Sequence, residues 1–148
     1  MTLKYMPIPP LTTCENFNVL NNRLLRIVLK KSIKTHNNDL YESYFTLHLQ
    51  LLHQFNILLF MHNYVYHRNK LPVVFSTYFE ENKVIRKYNT RQKNDFHIDS
   101  IKSEIGKRSI KYKSSKLWND LPAELKKIRS LQSFKYKVKN YLLQSLTC

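Results

Sequence analysis

Apolar residues recur at helical spacing along most of this 148-residue chain. Residues 1–11 are Pro-rich and read as an extended segment. Beyond them Phe17, Leu20, Leu24, Ile27 and Val28 fall on one face of a predicted helix. Thr12 or Thr13 supplies its N-cap. With Glu15 three residues after Thr12, a capping box satisfies backbone N–H groups at the helix start. Arg23, Arg26, Lys30 and Lys34 stand at i, i+3, i+7 and i+11 and form a basic stripe on roughly the opposite face. Such a stripe is either a solvated surface or a rail for phosphates. His36-Asn37-Asn38 breaks the pattern, and Asp39 caps a short helix over LYESYF.

A long helix over 46–66 follows, apolar almost all the way round, which requires partners on several sides. Pro72 disfavours helix at Leu71, and a short helix is expected over VVFSTYFEEN. Residues 82–97 are polar, basic and free of glycine, and read as a loop. The β-prone runs HIDSIK and RSIKYK flank Gly106, so a hairpin with Gly106 at positive φ is expected near residues 97–112. KLWN enters a helical turn ending at Asp120-Leu121-Pro122, and residues 123–128 make another. Ser130 caps a final helix with Leu131, Phe134, Val138, Tyr141, Leu142 and Leu146 facing inward. These six side chains, at ~1.5–3 kcal/mol each, do not offset the ~1–2 kcal/mol per residue that ordering the backbone costs. The helix must therefore dock, with Trp118, Leu121, Pro122, Phe134, Val138 and Tyr141 as anchors. The expected fold class is mainly α, a small helical bundle with a minor β-hairpin near residues 97–112. It is read as one helical domain over 12–146, comprising a helical half (12–67), a basic loop and hairpin (82–113), and the Trp turn with the C-terminal helix (114–146).

Composition narrows the function. Lys and Arg number 25 against 10 Asp and Glu, a formal net charge of +15. Such an excess repels itself unless a polyanion neutralises it, and RNA or DNA is the usual partner. Residues 82–118 hold eleven Lys or Arg against three acids, a net of +8 and the densest charge expected. A single glycine excludes Gly-rich phosphate loops. Cys14 and Cys148 stand alone at opposite ends and read as reduced intracellular thiols, neither a disulfide framework nor a zinc site. No secretory signal opens the chain, and the tract 47–66 carries too many polar residues for a membrane span, so no membrane partner is expected.

Catalytic patterns do not emerge. Two-metal nucleotidyl transfer needs two or three converging carboxylates, and the chain has no Asp-Asp pair. Asp95 and Asp99 lie in the basic loop, while Asp120 and Glu124 flank Pro122 and read as caps. His48 and His53, like His62 and His67, are five residues apart, about 500° of helix rotation, and therefore straddle different faces. His62 reads as a core or rim residue. Ser and Thr lack a placed His-Asp pair. No catalytic residue, metal or cofactor is expected. Tyr88, Phe96 and Tyr112, set among basic residues, either stack on bases or pack the hairpin.

LPVVF with YF (71–79), YNTR (88–91), GKRSIKYKSSKLWNDLP (106–122) and SFK..VK.YLL (133–143), taken in order, resemble the C-terminal end of non-LTR retrotransposon reverse transcriptases of the jockey-like and related kinds. NRLLRIVLKKSIKTH (22–36) is similar to the segment after the polymerase core in those proteins. Family members often carry Gly-Pro where this chain has Ser114-Ser115, and His where it has Lys87. The fingers, palm and adjacent aspartates of the family are missing. The resemblance thus implies a non-catalytic C-terminal fragment at work in the nucleus. Its partners would be RNA or DNA and the polymerase core of the same element. Nucleic-acid contact is expected from Arg23, Arg26, Lys30, Lys34, Lys87, Arg91, Lys107, Arg108, Lys111 and Lys113. Arg91 should be the most sensitive for contact and Trp118 for packing. The alternative is a structural remnant that packs on a missing polymerase core.

Overall fold

The computed structural model describes residues 11–85 and 91–145. These residues are mainly helical, with no sheet among them. Eight α-helices follow one another: α1 (Leu11–Val28), α2 (Asn37–Ser43), α3 (Leu49–Tyr66), α4 (Asn82–Ile85), α5 (Glu104–Lys107), α6 (Ile110–Asp120), α7 (Ala123–Lys126) and α8 (Leu131–Gln144). Single 3-10 turns stand at Arg68–Lys70 and Val73–Phe75. The chain divides into two compact units. One comprises residues up to Leu52 and from Tyr141 onward, the other His53–Asn140.

In the first unit α1 includes Leu11, which places Thr12 and Thr13 within the helix and not at its cap. Its buried side is not the apolar stripe. Phe17, Leu20, Leu24, Ile27 and Val28 are between 51% and 77% exposed, and of the apolar side chains described on α1 only Leu25 belongs to the core. The helix instead turns its amides to α2. The hydroxyl of Tyr41 donates to Asn22 Oδ1 at 2.6 Å and accepts from Asn21 Nδ2 at 3.2 Å. Burial raises the Tyr41 pKa against the pull of Asn21 and of the Arg26 charge. Periodicity identified the stripe correctly, but nothing in periodicity requires that a neighbour stand over it.

α1 stops at a Schellman motif. Lys30 takes a left-handed φ of 50°, Lys31 N–H donates to Arg26 O at 3.0 Å, and Lys30 N–H donates to Ile27 O at 3.2 Å. A lysine occupies the position where glycine is usual.

The second unit is built on α3. Ile57, Leu58, Met61, His62 and Tyr64 are buried along it. The Tyr64 hydroxyl donates to Phe79 O at 3.1 Å, and the two rings meet edge to face at 4.9 Å. Phe79 in turn lies 5.7 Å from Phe96. The predicted 82–97 loop is more ordered than expected over its described residues. Glu81 and Phe96 form an isolated antiparallel bridge, Asn82 N–H donates to Asp95 O, and Lys83 N–H donates to Lys93 O, both at 2.9 Å.

The hairpin near residues 97–112 is absent, and helices α5 and α6 occupy its place. Two serines decide this locally. Ser103 Oγ accepts from Gly106 N–H at the start of α5, and Ser109 Oγ accepts from Tyr112 N–H at the start of α6. Gly106 has no positive φ. The glycine is needed for space, since a Cβ there would sit 2.3 Å from Ile101 Cγ2.

Trp118, on α6, is buried with its ring 6.0 Å from Phe134 of α8. Leu121, Phe134 and Val138 are also buried, whereas Pro122 is exposed and precedes α7. Tyr141 lies seven residues from Phe134 and so on the same side of α8. It is nonetheless 39% exposed, while Leu142 and Leu143 are buried. No described helix is long and apolar enough to cross a membrane.

Candidate nucleic-acid interface

The candidate cations are divided between the two units. Arg23, Arg26, Lys30 and Lys34 belong to the first unit, and Arg91, Lys107, Arg108, Lys111 and Lys113 to the second. Lys87 lies outside the described residues.

The stripe expected along α1 is broken by the helix end. Arg23 is exposed on the helix, but Lys30 forms the Schellman turn and Lys34 lies in the turn beyond it. Arg26 is committed elsewhere. Its Nη2 donates to Thr35 O at 3.2 Å and to Asn37 Oδ1 at 2.7 Å, tying the α1–α2 connection to the helix. Of the four, Arg26 is thus a structural residue, and the remaining three do not form a continuous helical rail.

In the second unit three cations of the basic segment 82–118 meet acids in place. Lys107 Nζ meets Glu104 Oε1 at 2.7 Å, Lys111 Nζ meets Asp99 Oδ2 at 3.3 Å, and Lys83 Nζ meets Glu81 Oε2 at 2.6 Å. His97 also reaches Asp99, at 3.6 Å. The ammonium of Lys107, hydrogen-bonded to Glu104, holds that carboxyl below its usual value, and Arg108 adds to the pull. These pairs are exposed and contribute little to stability. Their effect is to reduce the local positive field that a phosphate would meet. Lys113 is half-buried and adds to the lowering of the His53 pKa that burial begins. Arg91 and Arg108 remain exposed, with no ion pair to either among the described residues.

The aromatic candidates divide in a similar way. Phe96 is buried and serves the core, Tyr112 is half-buried, and Tyr88 lies outside the described residues.

Sequence reasoning passed over the C-terminal segment as a scaffold. Residues 125–148 contain six Lys or Arg and no acid, a net of +6. Lys126 is withdrawn from this set, because its ammonium donates to Asn119 O at 2.8 Å and lies 3.8 Å from Asp95. Lys127, Arg129 and Lys137 are exposed. Tyr136 beside Lys137 is 64% exposed, on the side of α8 opposite buried Val138 and Leu142. An acid count along the chain would have singled out this segment.

His62 is the one fully buried titratable group with a bare ring nitrogen. Its Nε2–H donates to Ile128 O at 2.8 Å and its ring stacks on Phe134 at 4.3 Å, while Nδ1 has no partner among the described residues. Because a carbonyl only accepts, this bond fixes the Nε2–H tautomer. Burial lowers the His62 pKa, the Ile128 bond opposes that, and the charge of His67 adds to the lowering. These contacts are those of a packing residue. Among the described residues no group of three or more His, Cys, Asp or Glu is arranged to hold a metal ion.

Comparison with family models, with curated proteins and with solved structures finds no match to this chain.

Proposed function

We propose that this chain is the post-polymerase, C-terminal part of a non-LTR retrotransposon reverse transcriptase, and that it acts without catalysis by binding RNA or DNA in the nucleus. The observation that supports the binding role most directly is the distribution of uncompensated charge. The net +15 is not cancelled evenly. Acids pair with Lys83, Lys107, Lys111 and Lys126, and leave Arg91, Arg108, Lys127, Arg129 and Lys137 of the second unit exposed, with no ion pair to any of them among the described residues. A surface of this kind attracts a polyanion by releasing its counterions. The test is the affinity of the full chain for RNA and DNA measured against salt concentration. Each phosphate contact should release ~0.7–0.9 ions, so several contacts predict a steep slope. A slope of about one ion or less would remove the proposal.

A second reading is favoured by α1. Its exposed stripe of Phe17, Leu20, Leu24, Ile27 and Val28 is a surface of the sort that a partner covers. Here the chain braces the polymerase core of its own element and has no separate role. Expression of the chain alone separates the two. Aggregation or molten behaviour supports bracing, and a monodisperse, cooperatively unfolding monomer counts against it.

A further inference from the structure

We infer that the solvent face of α8 is the strand-binding surface of this chain, and that its ligand is single-stranded nucleic acid, one base of which stacks on Tyr136. The inference rests on the nucleic-acid reading above and adds to it the place and the form of the ligand.

Three observations carry it. First, α8 and the segment leading into it contain no acid from residue 125 onward, so nothing on the same element competes with phosphate for Lys127, Arg129 and Lys137. The surface around α5 and α6, richer in cations by count, is by contrast met by Glu104 and Asp99.

Second, the buried side of α8 is fixed by Phe134 and Val138, both fully buried. This leaves Ser133, Tyr136, Lys137 and Asn140 on the opposite side, at i, i+3, i+4 and i+7, over about 10 Å of helix. A hydroxyl, an aromatic ring, an ammonium and an amide are the groups that meet sugar, base face, phosphate and base edge respectively.

Third, Tyr136 is 64% exposed and therefore keeps most of its surface in water. A base covers such a ring on binding, and the contact tolerates sequence because every base has a π-face. Stacking requires an unpaired base, which selects a single strand over a duplex. An anionic membrane would use the lysines but has no use for a single tyrosine on a face shared with an amide and a hydroxyl, since an interfacial helix needs a broad apolar face.

The experiment measures fluorescence anisotropy of labelled single-stranded and duplex 12-mers with the full chain and with variants Tyr136→Ala, Tyr136→Phe, Lys137→Gln, and the double variant Arg91→Gln/Arg108→Gln. Thermal midpoints confirm that each variant folds. Tyr136→Ala should weaken single-strand binding about 5- to 150-fold, the range of one base–aromatic stack. Tyr136→Phe should stay within about 2-fold of the parent, because the ring is kept. Duplex binding should fall less than single-strand binding in Tyr136→Ala.

If Tyr136→Ala binds like the parent while the Arg91/Arg108 variant weakens, the α8 assignment is overturned and nucleic-acid binding stands. If the parent binds neither strand form at low salt, both fall together. Tighter capture by phosphatidylserine vesicles than by the oligonucleotide, undiminished in Tyr136→Ala, also overturns the assignment.

Discussion

The side-chain amide of Asn119 grips the backbone of Phe96 at both polar groups. Its Oδ1 accepts from Phe96 N–H at 3.0 Å and its Nδ2 donates to Phe96 O at 2.8 Å. A side chain at the end of α6 thus substitutes for a neighbouring strand, and it holds the ring of Phe96 in the aromatic cluster with Tyr64 and Phe79. Only one orientation of the amide serves both bonds. Asn119→Ala leaves two main-chain groups of a buried residue without partners, at a cost of about 1–3 kcal/mol for each group. We expect the variant to lose roughly 2–4 kcal/mol in urea unfolding. Asn119→Asp keeps the acceptor and loses the donor, and should fall between the two. An Asn119→Ala variant within about 0.5 kcal/mol of the parent would mean that water replaces the amide.

His62 makes stability depend on pH. Its pKa is lowered in the folded chain, chiefly by burial, from an ordinary value of 6.5. The folded state therefore binds fewer protons than the unfolded state once the pH falls below that value. The stabilising contribution is present in full above pH 6.5 and is lost as the pH falls through the window between 6.5 and the lower folded value. A second proton would go to Nδ1, which has no acceptor in the core. His48 and His53 are also lowered by burial and add loss of the same sign. The urea midpoint should drop between pH 7.5 and pH 5, with a slope of at most about 1.4 kcal/mol per pH unit for each proton. His62→Gln should be less stable at pH 7.5 but show a shallower drop. An unchanged drop in that variant would assign the pH dependence to other groups.

Whether a structural feature could be read from the sequence depended on how far its cause lay along the chain. The apolar run of α3 and the spacing of Phe134 and Val138 in α8 are local, and they announced helices. The two serine caps, Ser103 and Ser109, are equally local, but the sequence reading followed the β-prone runs around Gly106 and did not use them. Asn119 gave no signal at all, because its partner Phe96 is 23 residues away. The stripe on α1 was legible, but its exposure was not, since burial is decided by what packs against a face. For the candidate interface, charge counted along the chain pointed to 82–118. That count could not show Asp99 beside Lys111, or Asp95 drawn to Lys126 from a different element. The acid-free stretch after Glu124 was plainly visible and needed only an acid count.

Ser114 and Ser115 are both buried on α6, and neither hydroxyl has a partner among the described residues. A buried hydroxyl without a hydrogen bond costs about 1–3 kcal/mol relative to a satisfied one. Alanine removes the oxygen, leaves the backbone alone and is the better helix former. Ser114→Ala and Ser115→Ala should each raise stability by about 1 kcal/mol, seen as a higher thermal midpoint. Larger side chains should fail, because a helix position at 0–1% exposure has no room for them. A loss of 1 kcal/mol or more in either alanine variant would show that its hydroxyl is bonded in solution.

Gly106 offers a direct separation of two reasons for a glycine. A turn at positive φ penalises any side chain whatever surrounds it. Gly106 has no such φ, and its constraint is the methyl of Ile101, 2.3 Å from where a Cβ would stand. Gly106→Ala should therefore destabilise the chain in the parent background. In an Ile101→Ala background the offending Cγ2 is gone, and the next atom of that side chain, Cβ, is 3.6 Å away, an ordinary contact. Ser103 Oγ, at 3.0 Å, remains tight, so a small part of the cost should survive with the cap it makes to Gly106 N–H. Against this stands the gain of about 0.8–1 kcal/mol for alanine over glycine inside a helix. The double-mutant cycle should accordingly show coupling of about 1 kcal/mol or more between positions 101 and 106. Additive effects would mean that the backbone at 106 needs glycine for its conformation, and would restore the turn that the sequence first suggested.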